Sequence, residues 1–232
     1  MIPKQLFFIW LGDNKPNYVD FAVNTFKDVN PDFKVNLIEY SVNDIENIDK
    51  ISKSEYDSDV SRVMQYILDK NSTKYKYHRN QFYNKHRKFI QTIANILRCE
   101  ILNRYGGIYL DCDTFPLKPF DDFILNKKQF TAFTFPSFDS SHRHRDNFFM
   151  GKAKDDSFIY DCYGIFEVVP TSSYKRAENG IWVQQRNDFY DCKLKYSEMD
   201  TEYYIEHFVD RTWKMLKGKC RSPICKYDKI TK

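Results

Sequence analysis

Between Phe89 and Asp113 the chain reads as helix, glycine stop, strand and acidic tip, and few folds accommodate that succession. Phe89, Ile93, Leu97 and Ile101 recur every four positions, the stripe of a helix packed on a core. Gly106 and Gly107 end it, because the first residue beyond a helix often needs a positive φ. Ile108-Tyr109-Leu110 then resumes as a β-branched and aromatic run, which predicts a strand. Side chains alternate along a strand, so Ile108, Leu110 and Cys112 should face one way and Tyr109, Asp111 and Asp113 the other. Two carboxylates sharing one face at the end of a buried strand resist ionising together unless a cation or hydrogen-bonded partner offsets their repulsion. The economical occupant is a divalent metal carrying phosphate.

Spacing alone does not make this argument, since Asp57-Ser58-Asp59 has the same D-x-D form with nothing strand-like before it. That second pair leads into Val60, Val63, Met64, Ile67 and Leu68 at helical spacing, which suits a helix cap. Further upstream, Gln5 to Leu11 is a continuous apolar run of strand length ending at Gly12-Asp13, as for a strand buried on both faces. An amphipathic helix from Val19 to Val29 and a strand from Lys34 to Tyr40 complete a βαβ unit. The expected class is α/β, a mostly parallel nucleotide-binding sheet flanked by helices, in a single domain over 1–232 with a helical insertion at about 42–88.

After Asp113 the expected elements are a two-proline bend over 114–120, a short helix from Asp121 to Leu125 and a strand from Gln129 to Phe135. A polar loop from Ser137 to Asp146, a short strand from Asn147 to Gly151 and a helix from Asp155 to Phe166 follow. Asn179-Gly180 reads as a turn before a strand at Ile181 to Val183, and Glu202 to Phe208 as a short helix-like run. The tail, 214–232, is basic.

Composition narrows the partners. An aromatic content of 17% with only 7 Gly excludes a disordered or repetitive chain. No run approaches the ~18 apolar residues of a membrane span, and the opening residues are too short and wrongly flanked for a signal peptide. The 6 cysteines form no C-x-x-C pair, which predicts reduced, mostly buried thiols in a cytoplasmic, reducing compartment. The net charge of +4 is unevenly placed, for the segment from Lys70 to Cys99 holds no acid and many bases. Such a face suits nucleic acid, an anionic membrane surface, the phosphates of a sugar carrier, or solvent.

Three ordered motifs resemble glycosyltransferase family 32. They are Ile-Leu-Arg-x5-Arg-Tyr-Gly-Gly-Ile-Tyr-Leu-Asp-Cys-Asp-Thr at 96–114, the opening Ile-Pro-Lys-x4-Ile-Trp-Leu-Gly, and the closing Tyr-x2-His-x5-Trp. The family includes a yeast initiating mannosyltransferase and bacterial capsular sugar transferases, and is related to the glucosylating domains of large clostridial toxins. The resemblance implies a GT-A fold and a nucleotide-diphosphate sugar held by Mn2+ or Mg2+. Asp113 would be the main metal ligand, with Asp111 contacting sugar and ribose or the metal through water, and His207 would complete the metal site. Trp10 would stack on the base, Trp213 would line the donor site, and Arg98 and Asn95 would contact sugar and phosphates. Asn95 stands where relatives usually carry Asp in Ser-Asp-x-x-Arg, which bears on donor specificity. The implied reaction is retaining transfer of a hexose to a hydroxyl of a glycan or glycolipid, without nucleic acid. The basic tail, by its composition, suits either solvent or contact with an anionic membrane. The alternatives are a non-catalytic nucleotide-sugar-binding module and a nuclease-like phosphoryl-transfer enzyme.

Overall fold

The computed structural model describes residues 1–46, 90–134, 144–154, 168–169, 171–176, 182–187 and 204–208. The first strand, β1 (Gln5–Leu11), lies between β2 (Lys34–Tyr40) and β3 (Gly107–Leu110) and runs parallel to both. Its apolar run divides as the period of two requires. Leu6 and Phe8 enter one core with the helix α1 (Asn17–Val29), while Phe7 and Ile9 enter the other. That second core is closed by Ile93, Leu97 and Ile101, all fully buried on a helix, α3 (Ile90–Tyr105). The short helix α2 (Val42–Glu46) adds Ile45 to it. Ile108, Leu110 and Cys112 join the α1 side and Tyr109 the α3 side, the alternation expected of this strand.

Beyond β3 the sheet becomes mixed. The strand β6 (His144–Lys152) pairs antiparallel with β3 and with β5 (Gln129–Thr134), whose other edge carries the two-residue β7 (Val168–Val169). The order is β2-β1-β3-β6-β5-β7. A second sheet, not foreseen from the sequence, has the order β4-β10-β8-β9, with β4 at Thr114–Pro116, β8 at Thr171–Arg176, β9 at Trp182–Asn187 and β10 at Ile205–Phe208.

Three expectations change accordingly. Thr114 to Pro116 is a strand and not part of a bend, and His144 to Asp146 extends β6 and does not belong to a loop. Ile205 to Phe208 is likewise a strand and not a helix. A run of four residues is too short for its period to separate helix from strand, and pairing with β4 and β8 decides it. The short helix α4 (Asp122–Leu125) forms where expected, with the Asp121 side chain accepting from the Phe123 amide at 3.1 Å. Most of the 42–88 insertion, the second pair of acids at Asp57 and Asp59, the expected helix from Asp155 to Phe166 and the 214–232 tail lie outside the described residues. Among the described residues no helix is long and apolar enough to cross a membrane.

Two glycines join α3 to β3, with φ of +65° at Gly106 and +102° at Gly107. The Gly106 amide closes the helix on the Leu102 carbonyl at 2.9 Å, and the Gln5 side-chain amide donates to the Tyr105 carbonyl at 2.8 Å. A Cβ on Gly107 would lie 2.8 Å from the Gln5 carbonyl, so β1 and β3 can approach only with glycine there. Gly107→Ala should therefore cost ~3 kcal/mol, from backbone strain and overpacking of about 1–3 kcal/mol each. Gly12→Ala, at φ +140° with nothing within 4 Å of its Cβ, should cost less. Urea midpoints of the two variants check the order.

Candidate metal and donor site

The carboxyl edge of β3 ends in a turn that fixes both acids. The Asp111 amide donates to the Phe148 carbonyl at 2.8 Å, continuing the β3–β6 pairing one residue past the strand. The Asp111 carbonyl accepts from the Thr114 amide at 3.2 Å and from its hydroxyl at 2.7 Å. Closing a four-residue turn in this way leaves the intervening Asp113 beside Asp111. Cys112, between them, points into the α1-side core with its thiol 3.4 Å from the Ile9 carbonyl. Burial pushes that thiol well above its ordinary value, so it stays protonated and is no thiolate ligand.

The third group arrives on the second sheet. Thr114 pairs with His207 across β4 and β10, which sets the imidazole one residue from Asp113. His207 Nε2 lies 3.4 Å from Asp113 Oδ1. One ligand atom from each of Asp111, Asp113 and His207 can be chosen so that all lie within 4.8 Å of one another. Tyr204 secures the start of β10: its carbonyl accepts from the Leu117 amide at 2.9 Å, and its hydroxyl donates to Asp121 at 2.7 Å.

Asp111 is held from the opposite side by α3. Arg98, with 5% of its side chain exposed, places Nη1 3.1 Å from Asp111 Oδ1. Its Nη2 donates to Asn95 Oδ1 at 2.7 Å, a contact available because residues three apart share a helix face. The guanidinium also lies over the Tyr109 ring, 4.5 Å from its centre, and the Tyr109 hydroxyl donates to Asp111 Oδ1 at 2.6 Å. Both contacts fall on Oδ1. The side-chain amide oxygen of Asn95 thus engages Arg98.

The electrostatic balance at Asp111 is not settled by Arg98 alone. Although 30% of its side chain reaches solvent, desolvation by the surrounding atoms is the largest influence and raises its pKa above the ordinary 3.8. Arg98 opposes that rise and Asp113 adds to it, while His207 and the Tyr109 hydrogen bond oppose it. The Tyr109 phenol is itself pushed well up by burial and remains a donor.

Two carboxylates and an imidazole make a hard-oxygen set with one nitrogen, which suits Mn2+ and, less closely, Mg2+. The chemistry of the residues present therefore fits a divalent cation. Trp10 stands at the same end of the sheet, opposite Glu39 on β2, and packs on the α1-side core. Its Nε1 is buried without a hydrogen-bond partner among the described residues. Trp213 lies outside the described residues. Tyr109 and Phe148 were not singled out as site residues from the sequence, although Tyr109 could have been, since it sits two before Asp111 on the same face of β3.

Residues 16–131, half of the chain, match the family described as glycosyltransferase sugar-binding region containing DXD motif. The chain belongs to that family. Its matched span contains Asn95, Arg98, Asp111 and Asp113, and the family agrees with the one its motifs resemble. No curated protein matches the chain in sequence. Among solved structures it is similar to PaToxG glycosyltransferase, at 17% identity and a TM-score of 0.41 over 66% of this chain and 56% of that one. It is also similar to the catalytic domain of alpha-toxin from Clostridium novyi, at 18% identity and a TM-score of 0.28 over 50% and 36% respectively. The chain thus spans about half or less of the lengths of these two proteins.

The direction of the Asp111 shift has a measurable consequence. A carboxyl whose pKa is higher folded than unfolded binds its proton more tightly in the native state. Its contribution to stability is then greatest below 3.8 and declines as pH rises through 3.8 toward the raised value. Without divalent cation, the stability of wild type minus that of Asp111→Asn, from urea denaturation, should fall across this window and level off above it. A difference that rises with pH would show that Arg98 outweighs burial.

Proposed function

We propose that this family member is a divalent-cation-dependent, retaining glycosyltransferase that moves a hexose from a nucleotide-diphosphate sugar to a hydroxyl of a glycan or glycolipid. The observation that carries the reading is the convergence of Asp111, Asp113 and His207 from two sheets on one ion-sized space. Asp113 and His207 are the direct ligands, and Asp111 supplies a carboxylate oxygen to the cation or through water to the donor. A bound cation would neutralise the departing diphosphate, the charge that develops in this transfer.

The remaining roles belong to the chain itself. Arg98 fixes the Asp111 carboxylate and, with Asn95, presents N–H and amide groups to the donor's sugar and phosphates. Trp10, at the edge of the same sheet, offers an indole face to the base, and Trp213 of the closing motif joins the donor pocket. No separate base is assigned, since in front-face attack the departing phosphate takes the acceptor's proton. The chain acts as one catalytic domain with the 42–88 segment as an insertion. Buried thiols at Cys99 and Cys112 suit the cytoplasm, with the 214–232 tail against an anionic membrane. Mn2+ is favoured over Mg2+ by the imidazole.

Asp113→Ala should lower Mn2+-dependent turnover of the accepted nucleotide sugar to the level seen with chelator, measured as nucleotide release. Full turnover in that variant overturns the metal assignment. The donor itself is found by thermal shift across nucleotide sugars with Mn2+. A ligand at 100 times its Kd stabilises by ~2.7 kcal/mol, which for a chain of this size raises Tm by about 5–10 °C. Saturable binding without nucleotide release would favour a binding module instead.

A further inference from the structure

The geometry points to Phe148 as the positioning residue that couples the two halves of the metal site, an inference that rests on the metal reading above. Thr131 of β5 faces Met150 of β6, yet the next residue, Ala132, faces Asp146. Asn147, Phe148 and Phe149 therefore lie on β6 without counterparts on β5, a bulge in the strand beside the site. On its other edge β6 stays in register, with Phe149 opposite Leu110 and the Phe148 carbonyl accepting from Asp111.

A bulge bends its strand and re-aims side chains. Phe148 belongs to the α1-side core, whereas Met150, two residues on, belongs to the α3 side, so the local alternation is broken here. The fully buried Phe148 ring stacks on His207, with centroids 3.8 Å apart and planes inclined by 16°. One residue thus sets the backbone of one acid through its carbonyl and the plane of the imidazole through its ring. A metal bond to an imidazole lies in the ring plane, so a flat neighbour that fixes the plane fixes the direction in which the nitrogen points. Groups that orient ligands in this way typically change metal affinity by 10–100-fold when removed.

The test compares Phe148→Leu with Phe130→Leu, the same change at another fully buried ring of the same core. Mn2+ binding to the two variants and to wild type is followed by electron paramagnetic resonance, with Tm measured alongside. Phe148→Leu should weaken Mn2+ binding about tenfold or more, while Phe130→Leu should lower Tm and leave binding within twofold of wild type. Equal affinity in Phe148→Leu and wild type overturns the inference and leaves the metal reading intact, as does equal weakening in both variants. Failure of wild type to bind Mn2+ overturns both.

The unsubstituted protein supplies a second measurement should Phe148→Leu not fold. Stacked on Phe148, the His207 ring C–H protons should resonate upfield of the usual histidine range, and stay there when diamagnetic Zn2+ saturates the site. An upfield shift lost on adding Zn2+ would mean that the imidazole leaves Phe148 to bind, which overturns the inference.

Discussion

The contact between Arg98 and Asp111 is the constraint on which the rest of the site depends. A guanidinium with 5% exposure would cost several kcal/mol if its charge had no partner. A carboxylate at the end of a buried strand carries a similar penalty, visible in the upward shift of Asp111. Each group makes the other tolerable. Because one is on α3 and the other follows β3, their pairing also fixes the rotation of the helix against the sheet, with Leu97 and Ile101 fully buried beneath. Asn95 and Tyr109 complete the arrangement, one holding the guanidinium and the other sharing the same carboxylate oxygen.

Around that anchor, the site is assembled from elements of very different sequence separation. Asp111 and Asp113 share one turn closed by Thr114, so their proximity is local. His207 reaches them only because β10 adds to β4, the strand that begins where the turn ends. Tyr204 ties the start of β10 to Leu117 and Asp121, and the Phe148 ring supports the imidazole at its other end. The middle residue of the acidic motif is as constrained as its neighbours. Cys112 fills the α1-side core and has no thiolate to offer, so the donor set remains oxygen and imidazole nitrogen.

Such a set would suit the proposed transfer, in which a diphosphate is held and then released. Hard oxygen ligands bind a cation that still accepts phosphate oxygens, whereas a closed thiolate site would leave no position for them. The family match over 16–131 covers the helix, the strand and both acids, and stops well before His207. The histidine therefore enters the site through the fold and the closing motif, outside the span that defines family membership.

Much of the α/β framework was legible in the sequence for a simple reason. Gln5 to Leu11 is a continuous apolar run of strand length closed by Gly12, and Ile108-Tyr109-Leu110 a β-branched and aromatic run after two glycines, as strands buried on both faces require. The stripe of Ile93, Leu97 and Ile101 has the period of a helix, and Gly106-Gly107 marks its end by a backbone conformation that side chains resist. Asp111 and Asp113 were legible with them. The second sheet was not, because strands of three or four residues such as Thr114–Pro116 and Ile205–Phe208 are too short to show a period. Motif resemblance singled out His207, but only the β4–β10 register brings it to Asp113. The bulge at Asn147 to Phe149, which turns Phe148 toward that imidazole, leaves no local mark in the residues that form it. Local periodicity fixed the elements; the pairing of distant strands decided which side chains meet.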